Sequence, residues 1–557
     1  MEEVPSYIVH IKSEFIAPKV PKEINGNELN NEKIVEEQKS KKRNRDAVRK
    51  TEIRYCHAFI ETGNCDNGLN CRFSHDLKSL LTSRPEDLGQ ICYKFNKYGF
   101  CNEGVTCRFG SMHIDSTSGI NLVRTAENGG VTPRPIDFNI LNKELQHLLW
   151  KKNYDFSDKN FYNNSHLNDT NIPYPDKPVK LVDFSNKVYI APLTTIGNLP
   201  FRRVLKDFGA DITCGEMAMS NNLMEGKQTE WALLRRHQSE DIFGVQIAGS
   251  HADAMAKVSK LLNKETISDF VDLNCGCPID VITDKGCGSK LMTRPNKLCD
   301  IASTLLSNFN RSVTVKIRIG WDEPTAHKLV PMLQKINNGK LAAIMIHGRT
   351  RQQRYSKEAN WDYVYEVCKS QDPTLPRVPI IGNGDILTYE DWKNHQNLVR
   401  NNFDDDEERG LCSCAMIGRG AIIKPWLSRE IKEQNVYDIS ASERLDILKK
   451  FCNYGMEHWG SDNQGIATTR RFLLEWLGYL HRYVPVALLE RTQKMQQRPP
   501  YFFGRGDLET LMASSDVKDW IKISEMLLGP APDDLVFEGK IKSNAYSTES
   551  EMAMSNG

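Results

Sequence analysis

A run of cysteines and histidines near the N-terminus has the spacing of metal ligands. Cys56, Cys65, Cys71 and His75 follow the pattern C-x8-C-x5-C-x3-H. Three thiolates and one imidazole form a closed tetrahedral zinc site, and metal binding supplies folding energy to a segment with few apolar residues. The alternative is a set of unrelated free thiols, which the ordered spacing disfavours.

The same spacing begins again further along the chain. Cys92, Cys101 and Cys107 repeat the x8 and x5 intervals, but the next histidine, His113, follows after five residues instead of three. The repeat predicts a second zinc site with His113 as its candidate fourth ligand, and the changed interval leaves that ligand open.

Aromatic and basic residues alternate with these ligands. Flat rings can stack on unpaired bases while guanidinium groups contact phosphates, so the pattern favours binding of single-stranded RNA. The alternative is that several of the rings form the small core around each metal. The residues concerned are Tyr55, Phe59, Arg72, Phe73, Tyr93, Phe95, Phe100, Arg108 and Phe109.

A second group of candidate residues lies in the C-terminal half, where short apolar runs end in polar residues and glycines. If the runs are parallel strands, their carboxyl ends meet at one edge, where enzymes of such folds place their chemistry. The candidates are Pro192, Leu193, Thr194, Gln246, Asn274, Cys277, Lys316, Arg318, His347, Asn383, Gly384, Asp385, Gly418 and Arg419.

The glycines after the last two runs indicate a phosphate site. Backbone N–H groups at Gly384 and Gly418 would face the anion, and Arg419 would add a charge-assisted hydrogen bond. Glycines that serve only tight turns are the alternative. The stretch GNGDIL lacks the third glycine of a GxGxxG motif, which argues against a Rossmann nicotinamide site.

The elements that must position these residues repeat eight times. The strand candidates are VYIAP, ADITCGE, DIFGVQIAG, FVDLNCG, VTVKIRIG, AAIMIHG, VPIIGNG and CAMIGRG. Helix-like segments such as HADAMAKVSKLLNK separate most of them. Apolar strands alternating with helices predict a parallel sheet buried on both faces, and eight units over residues 179–430 predict an α/β fold of the (β/α)8 TIM-barrel type. A doubly wound open sheet is the alternative.

The remaining chain divides by composition. Residues 1–50 end in the basic run KSKKRNRDAVRK and read as a disordered arm, with a nuclear import signal or an RNA-binding arm as alternatives. The other regions are the Cys/His clusters at 51–115, a linker at 116–178 with one helix near LNKELQHLLWKK, a helical domain at 431–536 and a flexible tail at 537–557.

Composition limits the classes of partner. The formal net charge is +1, with 26% charged and 39% hydrophobic residues, so a nucleic-acid surface must come from local clustering of basic side chains. The sequence has no signal-peptide pattern and no apolar run that could span a bilayer. The 15 cysteines without an export signal indicate reduced thiols. We expect no membrane contact and a location in cytoplasm and nucleus; oligomeric state stays open.

Seven motifs of the barrel region resemble those of the tRNA-dihydrouridine synthases: APLTTIGNLPFRR, VQIAGS, DLNCGCPID, KIRIG, HGRTR, IIGNGDI and MIGRG. With tandem CCCH zinc fingers in front, the chain resembles the eukaryotic zinc-finger branch of that family. The resemblance implies FMN as cofactor, NADPH as reductant and tRNA as substrate, with uridine 47 of the variable loop as the target and messenger RNA open as a second substrate. One departure is the stretch DKGCGSKLM, where Cys287 and Lys290 stand in a usually glycine-rich segment.

The resemblance also implies roles for individual residues. Flavin N5 delivers a hydride to C6 of uracil, and Cys277 donates the proton to C5. Lys316 stabilises the reduced flavin, while His347 binds the flavin or shapes its pocket. We assign the other candidates named above, from Pro192 to Arg419, to cofactor binding, with uracil open as a second partner of Asn274 and RNA as a second partner of Arg318.

Several neighbouring residues receive other interpretations. Cys275 lies two residues from Cys277 and is expected to be structural, as are Cys412 and Cys414. Arg349 is a candidate for phosphate or RNA binding, with a plain surface charge as the alternative. Arg470 and Arg471 are candidate RNA contacts, of which the helical geometry allows one to face the RNA.

Two other functions are compatible with parts of this pattern. A flavin barrel of the dihydroorotate dehydrogenase type would use similar residues, but zinc fingers argue against a small free substrate. An RNA-binding protein with an inactive barrel would keep the fingers, but the intact set of Cys277, Lys316 and His347 argues against it.

Overall fold

The computed structural model describes residues 7–17, 55–124, 132–133, 136–156, 181–337, 340–355, 357–402 and 412–539. The basic run KSKKRNRDAVRK, about half of the predicted linker and most of the predicted tail lie outside these residues. Among the described residues, no helix combines the length and apolar character that crossing a bilayer requires.

Eight parallel strands form a closed barrel. Each strand pairs with its sequence neighbour, and the last pairs with the first, as Ala415 does with Val188. The predicted TIM barrel is therefore confirmed, and the open-sheet alternative is wrong. The strands are β1 (Val188–Ile190), β2 (Ile212–Cys214), β3 (Ile242–Ala248), β4 (Phe270–Asn274), β5 (Ser312–Gly320), β6 (Leu341–Thr350), β7 (Ile380–Asn383) and β8 (Ala415–Ile417).

Helices follow the strands and cover the outside of the barrel, which explains why the strands read as continuous apolar runs. A two-residue strand, Ala218–Met219, adds to β3 after β2. The covering helices are Leu199–Asp207, Ser220–Met224, Gln228–Trp231, Ala252–Glu265, Asp280–Thr283, Pro295–Asn308, Ala326–Lys335, Trp361–Lys369, Tyr389–Asn402, Arg419–Ile423 and Leu427–Glu433.

The C-terminal region is helical, as predicted, with helices Ala441–Trp459, Asn463–Leu480, Asp507–Ala513 and Val517–Leu528. It packs on the barrel beside β1 and β8. Helix Ala441–Trp459 contacts helix Leu199–Asp207, and the Trp476 indole N–H donates to the carbonyl of Ile422 at 2.9 Å. This contact places the helical region next to the carboxyl ends of β8 and β1.

The N-terminal segment 7–17, which the sequence assigned to the basic arm, lies against the helical region. Its backbone pairs with the chain at Leu489, Arg498 and Phe502. Val9 and Ile11 are buried in a small apolar cluster with the side chains of the helical region. Burial of these apolar side chains holds the segment against the helical region.

The two Cys/His clusters fold as similar units. Helices His57–Thr62 and Tyr93–Tyr98 each start directly after the first cysteine and end at a glycine with positive φ, at Gly63 and Gly99. A further short helix, Leu77–Ser83, begins after the first cluster, and the predicted linker helix is present at Lys143–Trp150.

Candidate active site and metal centres

The alternation of side chains along each strand decides which residues face the barrel interior. In β6, Ala343 and Met345 belong to the inner apolar cluster, while Ile344 and Ile346 belong to the outer one. His347 lies two residues after Met345 in β6 and therefore also faces the barrel interior. Because side chains alternate along a strand, the ends of the inner series meet at the carboxyl end of the barrel.

The ends of these inner series line one cavity of about 490 Å³ at the barrel mouth. The cavity brings together Cys277 and all predicted cofactor-binding residues. In chain order these are Pro192, Leu193, Thr194, Gln246, Asn274, Cys277, Lys316, Arg318, His347, Asn383, Gly384, Asp385, Gly418 and Arg419. The volume is in the range of ordinary small-molecule and cofactor sites.

A chain of hydrogen bonds holds the loop that carries Cys277. The Asn274 side-chain carbonyl accepts from the backbone N–H of Gly276 at 3.2 Å and of Cys277 at 3.0 Å. Its amide N–H donates to the Gln246 side-chain oxygen at 2.8 Å. The Gln246 amide N–H donates in turn to the Asp272 carboxylate at 2.7 Å. Asp272 therefore fixes the orientation of the Gln246 side-chain amide, which in turn fixes that of Asn274.

Asp272 lies at the base of this chain and is fully buried. The Thr314 hydroxyl donates to its other carboxylate oxygen at 2.8 Å. Burial raises the pKa of Asp272 to about 6, although the hydrogen bonds from Gln246 and Thr314 and the nearby charge of Lys316 oppose the shift. The group is therefore ionised at neutral pH and accepts from two donors.

Burial also sets the charge of the groups around the cavity. It lowers the pKa of Lys316 to about 8, against the attraction of Asp272. It raises the pKa of the Cys277 thiol, so this group is protonated at neutral pH. It holds the pKa of His347 well below its ordinary value, and the nearby charges of Arg318 and Lys316 act in the same direction. The imidazole is therefore neutral.

Lys316 is the cation best placed to meet a ligand. Among the described residues its ammonium group makes one hydrogen bond, to the side-chain oxygen of Asn383 at 3.5 Å. Arg318 is more constrained, because it donates to the carbonyls of Gly276 at 2.8 Å and Thr350 at 3.0 Å.

Asp385 connects two arginines at the β7 and β8 ends of the cavity. Its carboxylate accepts from Arg349 at 2.5 Å and from Arg419 at 3.1 Å. The Arg349 side chain is completely buried, so its interpretation as a surface charge is wrong. It also lies outside the residues that line the cavity, which places it behind Asp385 instead of against a ligand.

The glycines at the strand ends have different reasons for being glycine. Gly384 has φ +134° and a Cβ there would lie 2.6 Å from that of Ala359, so both strain and packing require glycine. At Gly418 a Cβ would meet only the Asn383 amide nitrogen at 3.9 Å. The backbone of Gly418 is therefore open toward the cavity that it lines, which a tight turn alone does not explain.

The other cysteines of the barrel are buried away from the cavity. Cys275 is fully buried in the outer core, because it falls on the opposite side of the strand direction from Asn274. Cys412 lies 3.1 Å from Cys368, sulfur to sulfur, and Cys414 is in the inner core. Cys287 is buried, and the Lys290 ammonium lies 4.8 Å from the Trp321 ring centre.

Both predicted sets of metal ligands assemble. The ligand atoms of Cys56, Cys65, Cys71 and His75 lie within 4.8 Å of one another. In each set the Nε2 atom of the histidine, His75 or His113, is buried without a hydrogen-bond partner among the described residues. Such an atom beside three thiols suits a metal ion.

His113 joins the second set despite its longer interval. The ligand atoms of Cys92, Cys101, Cys107 and His113 also lie within 4.8 Å of one another. The His113 Nδ1 atom is 3.1 Å from the side-chain oxygen of Asn121, which fixes the ring with Nε2 toward the thiols. A 3₁₀ turn at Gly110–Met112 takes up the two extra residues.

The two Cys/His sets differ in their surroundings. The second is packed on the helical region, where the Ser461 hydroxyl lies 3.1 Å from the sulfur of Cys107. Phe95 and Phe109 are buried there, so these rings form part of a core. The first centre is more open. Its Leu69 is fully exposed, and its Phe59 stacks on His75 with ring centres 4.3 Å apart.

Of the two adjacent arginines proposed as RNA contacts in the helical region, one is exposed, as the helical geometry led us to expect. Arg470 is buried and donates to the Ser524 hydroxyl at 2.8 Å and to the carbonyl of Gly529 at 2.6 Å. Arg470 is therefore structural. Arg471, one residue on, is exposed.

Several residues of the cavity were not found from the sequence. Met217 and Tyr355 come from loops after β2 and β6, and Tyr479 and Met495 come from the helical region. The side-chain amide of Gln496 donates to the Asp385 carboxylate at 2.9 Å. The proximity of 479–496 to the strand ends depends on domain packing, for which the sequence carries no local signal.

Comparisons with known proteins agree with this arrangement. The family model described as dihydrouridine synthase (Dus) matches residues 189–473. A protein of Xenopus laevis named tRNA-dihydrouridine(47) synthase [NAD(P)(+)]-like is 43% identical over 522 residues, covering 86% of this chain and 78% of that protein. Proteins of the same name are similar in Homo sapiens, at 42% identity with 88% and 81% coverage, and in Arabidopsis thaliana, at 50% identity with 67% and 52% coverage.

Proposed function

Because this chain belongs to the dihydrouridine synthase family, we propose that it reduces uridine to 5,6-dihydrouridine in transfer RNA, with FMN as cofactor and NADPH as reductant. The target proposed is uridine 47 of the variable loop, the position in the names of the similar proteins. The observation that carries the proposal is the convergence of Cys277, Lys316 and His347 on one cavity at the barrel mouth.

The residues of the cavity suit FMN. The Lys316 ammonium group has free hydrogen-bonding capacity and would meet the polar edge of the ring system, where a cation favours the reduced, anionic form. The open backbone at Gly418 and the guanidinium of Arg419 would hold the phosphate. When bound, FMN supplies the hydride for C6 of the uracil ring and is itself reduced by NADPH.

Cys277 supplies the proton. The C5=C6 bond of uracil is conjugated with the C4 carbonyl, so addition of hydride at C6 leaves a negative charge shared by C5 and the C4 oxygen. Protonation at C5 then completes the reduction. A thiol whose pKa is raised by burial is protonated at neutral pH and can donate. The hydrogen bonds that the backbone N–H groups of Gly276 and Cys277 donate to the Asn274 side chain hold the thiol at the cavity wall.

The target uridine must leave its base stack to reach this cavity, which costs a few kcal/mol. Binding contacts elsewhere on the RNA must offset that cost. The first Cys/His unit offers exposed groups, including the Arg72 guanidinium above the Phe73 ring at 4.9 Å. We assign zinc to both Cys/His sets, because three thiolates and one imidazole suit it.

The test is to incubate purified protein with NADPH and an unmodified tRNA transcript and to digest the product for mass spectrometry. We expect a yellow protein and a mass gain of two hydrogens at uridine 47. Oxidation of free dihydroorotate, or reduction of its oxidised form, without any change in tRNA would contradict the proposal, as would a colourless protein that binds tRNA. Parallel incubation with messenger RNA tests the second substrate.

A further inference from the structure

A second cavity of about 1140 Å³ lies between the linker helix Lys143–Trp150 and the segment 221–228. We call it the linker groove. It is lined by Lys143, Gln146, His147, Leu149, Trp150, Lys152, Tyr154, Phe156, Asn221, Met224, Glu225, Gly226, Lys227, Gln228 and Lys257. None of the candidate catalytic or metal-binding residues belongs to it.

The groove is basic, although the whole chain carries a net charge of only +1. Its lining holds four lysines and one carboxylate, that of Glu225. Glu225 pairs with Lys227 at 2.7 Å, and Lys257 pairs with Asp253 at 3.0 Å. Among the described residues, Lys143 and Lys152 form no ion pair. Their charges are therefore available to an anionic partner.

An aromatic ring stands at the edge of this basic groove. The Trp150 side chain is 70% exposed, which is unusual for so large an apolar group. The Lys151 ammonium lies 5.1 Å from its ring centre. An open indole beside a basic groove, with a lysine ammonium group near its ring, is the combination that binds unpaired bases by stacking and the adjoining phosphates by charge.

The groove lies beside the barrel mouth. Met217 lines the active-site cavity and Asn221, four residues later, lines the groove. Four residues of extended chain span at most about 14 Å, so the two cavities are near neighbours. The groove follows β2, whereas Tyr479 and Met495 of the helical region border the mouth from another side. An RNA strand that enters the barrel mouth can therefore contact both the linker groove and the helical region.

We infer that the linker groove binds the tRNA whose uridine enters the barrel, with Trp150 stacked on an unpaired base and Lys143 and Lys152 on phosphates. This inference rests on the proposed function. It makes the linker helix a part of the RNA-binding surface.

The experiment compares the full chain with the variants Trp150→Ala and Lys143→Glu/Lys152→Glu. The control is Lys335→Glu, which reverses an exposed charge at the far end of a barrel helix. Affinity for an unmodified tRNA transcript is measured by fluorescence anisotropy at several salt concentrations. We expect about tenfold weaker binding for each groove variant. The double variant should also show a salt slope shallower by about one to two.

Measurements of turnover distinguish a defect in tRNA binding at the groove from a defect in catalysis at the active site. Since neither Trp150 nor the two lysines line the barrel cavity, KM for tRNA should rise while kcat at saturating tRNA stays within about twofold. Unchanged tRNA affinity in both groove variants would overturn the inference even if the wild-type protein reduces uridine. Absence of dihydrouridine with the wild-type protein would contradict the proposed function, and weaker binding by the variants would still support the groove.

Discussion

Cys275 and Cys277 show how backbone geometry separates two identical side chains. Cys275 still follows the alternation of β4 and is buried in the outer core, while Cys277 belongs to a loop held by Asn274 and lines the cavity. Burial raises the pKa of both thiols. The difference that matters for proton donation is therefore access to a substrate, which Cys277 alone of the two has.

Replacing Cys277 with alanine should abolish proton donation without removing the cofactor. We expect visible flavin absorbance to stay and dihydrouridine formation to fall by about 10²- to 10⁴-fold, the usual contribution of a general acid. Quantitative mass spectrometry of digested tRNA measures the product. The control variant, Cys275→Ala, should lower the stability of the fold but not the turnover. Full activity of Cys277→Ala would show that this thiol is not the proton donor.

The pH dependence of turnover gives a second measure of the same thiol. A proton donor acts in its protonated form, and burial raises the pKa of Cys277. Activity should therefore persist through neutral pH, decline first as Lys316, with a pKa of about 8, loses its charge, and decline again at higher pH as the Cys277 thiol ionises. Absence of the second decline in kcat would indicate a donor other than Cys277.

Asp272 is expected to act as a positioning residue. Asparagine at this position can accept from Gln246 only if its own N–H meets the Thr314 hydroxyl, so one neutral acceptor replaces the carboxylate that binds both donors, and the chain of hydrogen bonds to Cys277 is held less firmly. We expect Asp272→Asn to lower kcat by about tenfold or more with flavin still bound.

Two further measurements distinguish positioning from a general loss of stability. In the wild-type protein, kcat should decline below about pH 6 as Asp272 becomes protonated, and the Asn variant should lack this decline. Thr314→Val removes one donor and leaves the bond from Gln246 in place, so its kcat should be closer to that of the wild-type protein. Equal losses in both variants would assign Asp272 a structural role only.

At the scale of elements, two units with nearly the same cysteine spacing have different surroundings. The second Cys/His unit is attached to the helical region through Arg108, whose guanidinium donates to the Asn463 side chain at 2.6 Å, and through Tyr98, whose hydroxyl donates to Glu457 at 3.0 Å. The first unit contacts the second, for example through Glu61 and Asn102 at 2.7 Å. We expect the second unit to stabilise the fold and the first to bind RNA.

Loss of one ligand in each unit should therefore have different effects. Cys107→Ser should release one metal ion and lower the melting temperature by about 5 °C or more, because the unit forms part of the core beside Ser461. Cys56→Ser should also release one metal ion but mainly weaken tRNA binding, with NADPH oxidation unchanged. Metal content, circular dichroism melts and anisotropy measure these effects; equal melting losses in both variants would contradict the division.

The extent to which the sequence predicts the site depends on how local the cause is. Gln246, Lys316 and His347 could be predicted because strand alternation and the carboxyl-end rule act within single elements. The role of Arg349 could not, because its burial depends on the neighbouring Asp385. Gln496 was also missed, because it reaches the site from the helical region by domain packing.

At the scale of the whole molecule, the N-terminal segment supports the active site from a distance. The loop 486–502 places Met495 in the cavity wall and Gln496 on Asp385. Segment 7–17 holds this loop from the other side, where the backbone N–H of Val9 donates to the carbonyl of Arg498 at 3.0 Å. Segment 7–17, which the sequence assigned to a disordered arm, thus supports one wall of the active-site cavity through the loop 486–502.

This arrangement predicts that a change in the N-terminal segment alters the barrel mouth. Ile11 is 3% exposed and packs with Val484 and Leu488, so Ile11→Ala should lower the stability of the fold by about 2–4 kcal/mol. Because the loop carrying Met495 loses its support, we also expect KM for tRNA to rise. Denaturant unfolding and steady-state kinetics measure the two effects.

Ile16 provides the matched control, since it lies in the same segment but is 49% exposed. Ile16→Ala should change stability by less than about 1 kcal/mol, because surface substitutions away from packed clusters have small effects. If Ile11→Ala destabilised the fold while KM and flavin content stayed at wild-type values, the segment would support the helical region alone. Parallel changes in stability and KM would connect the N-terminal segment, through the loop 486–502, to the entrance of the barrel.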